Sequence, residues 1–71
     1  MDTNLYDWLV RLIEEGLKHP KMSEWETTFL KDQAERIDKY NSNIKMSSKQ
    51  WAVLDKMAIK IEFEERPYAE E

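Results

Sequence analysis

Seventy-one residues with 15 acidic groups, 11 basic groups, a net charge of -4 and no cysteine leave room for one domain and exclude disulfide or thiolate-metal stapling. A chain this short buries only about 60% of its unfolded surface, so its stability rests on a thin packed core or on a partner. No apolar run reaches the ~20 residues that span a bilayer, and the acidic, polar start Met1-Asp2-Thr3-Asn4 lacks the pattern of a secretory signal, so a cytoplasmic setting with no membrane partner is expected.

The first predicted helix runs from about residue 5 to residue 18, with Asp2, Thr3 or Asn4 as its cap. At about 100° per residue, Leu5, Leu9, Leu12, Ile13 and Gly16 share one face, flanked by Trp8 on one side and by Tyr6, Val10 and Leu17 on the other. That apolar arc covers more than half the cylinder and is wider than a surface helix needs. Gly16 either permits a close helix approach or marks early fraying.

His19-Pro20-Lys21-Met22 breaks the helical pattern, because a proline disfavours helix at the residue before it. The second helix is expected over residues 24–40. Leu30, Ala34 and Ile37 form one strip, and Trp25, Phe29 and Tyr40 an adjoining one with Gln33 among them. A helix touching neighbours on two sides suits a three-helix bundle. Residues 41–46, rich in turn formers, connect to a third helix over about 48–62, whose face is Leu54, Met57, Ala58 and Ile61. The segment Ile59-Lys60-Ile61-Glu62-Phe63-Glu64 alternates like a strand. It has no pairing partner within the chain, so helix to about 62–65 is expected, with strand pairing across a dimer as the alternative. Residues 1–66 thus form one all-α domain, a compact three-helix bundle, and 67–71 a flexible acidic tail.

Helices two and three begin alike, 24 residues apart. Met22-Ser23-Glu24-Trp25-Glu26 and Met46-Ser47-Ser48-Lys49-Gln50 each offer a serine cap, a Glu or Gln three residues later and an apolar residue before the cap, which is a capping box; in the third helix Met46 and Trp51 also occupy the positions of a hydrophobic staple. Leu30, Ala34 and Ile37 then align with Leu54, Ala58 and Ile61. Convergence of two capped, packed helices explains this echo more economically than duplication, since repeat arrays need about three units.

Nothing in the sequence specifies a reaction. His19 is the only histidine, in a charged linker without a marked nucleophile or orienting partner. Glu14-Glu15 and Glu24/Glu26 lack histidines at ligand spacing, so no metal is expected. One glycine cannot build a phosphate loop. The expectation is a protein without enzymatic activity and without a cofactor.

Charge is distributed unevenly. Residues 1–61 hold ten acids and ten bases, and 62–71 hold five acids and one base. Within the body, residues 1–35 carry eight acids against four bases, and 36–61 two against six. Lys49, Lys56 and Lys60 fall within about 40° on helix three, with Lys45 just before it. This row is either a solvated face or a track for a phosphate backbone; it contains no arginine for bidentate base reading. The acids Glu62, Glu64, Glu65, Glu70 and Glu71 form a solubilising end, an electrostatic mimic of nucleic acid, or a cover folded over the lysine row. Three tryptophans on three short helices exceed what an isolated bundle needs. Trp51 and one other are expected in the core, and the surplus on helix one marks an interface.

Ser23, Trp25-Glu26, Phe29, Arg36 and Tyr40, followed by Ser47, Lys49-Gln50, Leu54 and Ile61, resemble a small helical module that recurs in phage and prophage proteins, often appended to DNA-processing enzymes. The likeness spans residues 22–61. It implies a mobile-element setting and an accessory or inhibitory role beside nucleic-acid machinery, and it transfers no catalytic residue. The expected function is therefore protein binding through Tyr6, Val10, Leu17 and the acidic residues Glu62, Glu64 and Glu65. The alternatives are direct nucleic-acid binding through Lys45, Lys49, Lys56 and Lys60, or a structural homodimer joined through helix one.

Overall fold

Local capping chemistry sets every helix start in the computed structural model, which describes residues 1–67. Helix α1 spans Thr3–Lys18, with the Asp2 carboxylate accepting the Leu5 backbone N–H. Helix α2 spans Glu24–Tyr40 and helix α3 Ser48–Lys60. Both predicted capping boxes close. Ser23 Oγ accepts from Glu26 N–H at 3.1 Å while Glu26 Oε1 accepts from Ser23 N–H at 2.8 Å. Ser47 and Gln50 exchange the same pair of bonds at 3.2 and 2.8 Å. Each box satisfies two backbone donors that a bare helix start would leave open.

The helices run up, down and up. The Met1 ammonium donates to the Ser42 carbonyl, placing the start of α1 beside the end of α2. Lys60 reaches Glu26 and Arg36 reaches the Lys45 carbonyl, which sets α2 antiparallel to α3. Among the described residues there is no strand, and the molecule is an all-α three-helix bundle. No helix among them is long and apolar enough to cross a membrane.

The core contains Leu9, Leu12 and Ile13 of α1, Leu30 of α2, and Leu54, Met57 and Ala58 of α3. Ala34, Ile37 and Ile61 complete the predicted seams as partly buried neighbours. Two core members are surprises. Ile44 sits in the connection between α2 and α3 yet is almost fully buried as part of the core. Trp8, read as a flank of helix one, is completely buried at its centre. Gly16 is also buried. A Cβ there would stand 2.6 Å from Leu30 Cδ1, so its role is the close approach of α1 to α2.

Helix α3 ends at Lys60, two residues before the expected boundary, and the segment beyond it is neither helix nor strand. Glu62 takes a positive φ of 57°. Its N–H bonds the Ile59 carbonyl at 3.1 Å and the Phe63 N–H bonds the Ala58 carbonyl at 2.8 Å. These bonds, three and five residues back, make a Schellman stop with Glu62 in the position that glycine normally fills. The alternation of residues 59–64 arises because the chain turns there and sends Ile61 and Phe63 inward. The predicted acidic tail lies, apart from half-buried Pro67, outside the described residues.

Candidate functional site

After the Schellman stop, residues 61–66 lie back across α1 and α3 as a strap. The Trp8 indole N–H, which needs a partner because the ring is fully buried, donates to the Glu64 carbonyl at 3.0 Å. The Phe63 ring packs on Trp8 with centroids 6.1 Å apart, and Trp51 packs on it at 6.5 Å. Arg11 lies over Phe63 and grips the Glu64 carboxylate through both terminal nitrogens, while its Nε bonds Asp7 at 3.0 Å. Arg66 closes the far end, gripping Asp55 at 2.9 and 3.0 Å and stacking over Trp51 at 4.7 Å. Bidentate guanidinium–carboxylate pairs fix orientation as well as distance. The Glu64 carboxyl is held below the usual carboxylate range, chiefly by its hydrogen bonds from Arg11.

The strap creates two grooves with Phe63 as their shared wall. One, of about 340 Å³, runs between the strap and α3, lined by Asp55, Ala58, Ile59, Phe63, Glu64, Glu65 and Arg66. The other, of about 460 Å³, runs between the strap and α1, lined by Arg11, Glu14, Glu15, His19, Ile61, Glu62 and Phe63. Each has apolar side chains in its lining and carboxylates along it, and each is open. Such a shape suits a protruding partner side chain better than an enclosed small molecule. Ile59, 77% exposed, stands at the edge of the first groove as an unburied apolar anchor.

The predicted contacts separate on this surface. Tyr6 is half-buried and packed against the core, Val10 is half-buried, and Leu17 alone of the three is exposed. Of the helix-one flank, Tyr6 is thus spent on internal packing. Glu62 and Glu65 are exposed, one on each groove, whereas Glu64 is committed to Arg11. Of the lysine row, Lys45, Lys49 and Lys56 are exposed, and Lys60 donates to the Glu26 carboxylate at 2.7 Å. That bond is the main reason the Glu26 carboxyl sits below its ordinary value. The capping glutamate therefore also links α2 to α3.

The larger exposed apolar groups lie elsewhere: Trp25 at 62% exposure, stacked on Phe29, with Tyr40 at the other end of α2 and Ile59 on α3. The sequence pattern makes this α2 strip a second packing face, but of its aromatic rings only Phe29 packs against the core. His19 is half-buried and its Nδ1 accepts the Lys21 N–H, a turn-forming role. Gln33 is buried on α2 with no partner for its Oε1 among the described residues. No cluster of three or more His, Cys, Asp or Glu among those residues is placed to hold a metal ion. Comparisons with protein-family models, curated proteins and solved structures find no match to this chain, so the phage-module resemblance of residues 22–61 rests on its residues alone.

Proposed function

We propose that this chain is a non-catalytic protein-binding module whose contact surface is the acidic strap. The observation that carries this reading is the pinning of residues 61–66 by Trp8, Arg11 and Asp55. Glu62 and Glu65 are thereby displayed at fixed positions beside two grooves, with Ile59 as an apolar anchor. A surface that is ordered before binding spends less of its contact energy on ordering. Fixed carboxylates around an apolar anchor match a partner with a basic rim and an apolar knob or socket.

In the mobile-element setting that the resemblance implies, that partner belongs to a nucleic-acid-processing complex in the cytoplasm, and this chain acts on it as an accessory or inhibitor. Such partners carry basic grooves, which fixed carboxylates can occupy. The test is capture of partners from the native host by the wild-type chain, by Glu62→Lys with Glu65→Lys, and by Ile59→Ser. The expected result is one salt-sensitive protein partner, lost with either variant while helicity is unchanged. Undiminished capture by both variants would remove the strap from the interface.

A further inference from the structure

Glu26 and Arg36 lie ten positions apart on α2, and each reaches across to the third helix or its approach: Glu26 to Lys60 and Arg36 to the Lys45 carbonyl, both at 2.7 Å. These two contacts fix the edge of α2 that abuts α3. Counting about 100° per residue, Phe29 and then Trp25 come next round α2 from Glu26, turning outward from the core. Their rings stack with centroids 5.6 Å apart and planes 16° from parallel. On α3 the flank that carries Lys60 also carries Lys49 and Lys56, both exposed and without an ion-pair partner among the described residues. The fold therefore sets an exposed indole platform alongside a lysine row, a juxtaposition that neither helix contains by itself. Of the acids near that junction, Glu26 is neutralised by Lys60, while Asp32, seven residues on from Trp25 and so on the same side of α2, is exposed.

We infer that this α2–α3 face is a second binding surface, separate from the strap, and that it takes single-stranded nucleic acid without sequence preference. One unpaired base stacks on Trp25, and Lys45, Lys49 and Lys56 follow the adjoining phosphates. Base–aromatic stacking needs a free base face, which a duplex hides. Lysines supply mobile point charges for phosphates and no bidentate reading of base edges. The same chain then carries an acidic face for a protein and a basic, aromatic face for the strand that protein handles.

The test is fluorescence anisotropy of labelled oligo-dT and oligo-U, about 12 nucleotides long, against the intact chain, with a duplex of equal length as comparison. The expected result is binding of either single strand at about 50 mM salt that weakens roughly tenfold by about 200 mM, as release of a few counterions requires. Trp25→Ala weakens it roughly tenfold, the worth of one stacked base. Lys49→Glu with Lys56→Glu abolishes it. All three side chains are exposed, so circular dichroism of both variants matches the wild type. No binding at low salt, tighter binding of the duplex, or full affinity in Trp25→Ala overturns the inference. So does a chain that sediments at twice its monomer mass until Trp25 is replaced, since the face would then belong to a second copy. The strap variants Glu62→Lys and Glu65→Lys alter none of these residues, so failure of one proposal leaves the other standing.

Discussion

Glu62 is the residue at which sequence preference and structure conflict most openly. A left-handed backbone costs a residue with a Cβ about 1–2 kcal/mol, and glycine escapes most of that cost. Glu62 occupies φ 57° because the chain must reverse there for Phe63 to reach Trp8. Glu62→Gly is therefore expected to raise unfolding stability by about 0.5–1 kcal/mol, part of the gain being offset by the freer unfolded chain. Glu62→Ala keeps the Cβ and is expected to leave stability nearly unchanged. Urea denaturation of the two variants checks both. Trp8 illustrates the opposite limit of residue-level reading: its helical angle puts it beside the apolar face, and only the arrival of the strap buries it completely.

At the scale of elements, α1, α2 and α3 obey their own sequences, and the strap obeys theirs. Removing Phe63 uncovers Trp8 and leaves Arg11 without its ring, so Phe63→Ala is expected to cost about 2–3 kcal/mol, toward the low end for a phenylalanine because the ring is only partly buried. Deleting residues 62–71 is expected to cost more, since the Trp8 indole N–H also loses its acceptor. Thermal unfolding of both variants measures this. A strap that is a passive tail would leave the melting temperature where it was. The sequence pattern carries α3 two residues past its end at Lys60 because the inward pattern continues through Ile61 and Phe63. Periodicity records which side chains point inward, not whether the backbone between them has turned.

Over the whole molecule the net charge of -4 conceals two faces of opposite character. The strap sets Glu62 near Glu14 and Glu15 and Glu65 on the opposite groove beside Asp55, while the α2–α3 side presents Lys45, Lys49 and Lys56. Three ion pairs tie the parts together: Asp55 with Arg66, and two that hold glutamates, Glu64 with Arg11 and Glu26 with Lys60. Both carboxyls are held below their ordinary value in the folded chain. Groups depressed in this way contribute stability above the unfolded carboxylate pKa of about 4.3, and the contribution is lost as pH falls through the lower folded values. Acidification below about pH 5 is thus expected to lower the urea midpoint progressively. Glu26→Gln with Glu64→Gln, which removes both charges and keeps a side-chain acceptor for the α2 capping box, is expected to flatten that dependence. A wild-type slope persisting in the double variant would assign it to other carboxylates.

The chain by itself determined three helices, their serine-led starts and the seams Leu30–Ala34–Ile37 and Leu54–Ala58–Ile61. Those signals act between residues three or four apart, where helix geometry alone brings side chains together. Only the tertiary structure decided that Trp8 and Ile44 belong to the core, that Tyr6 is spent on packing, and that residues 61–66 close over Trp8. It also decided that Glu26 meets Lys60 and that Trp25 is left exposed on α2. Each of these depends on groups distant in sequence sharing one small space, and in a bundle this thin the competition for that space settles which side chains are left for a partner.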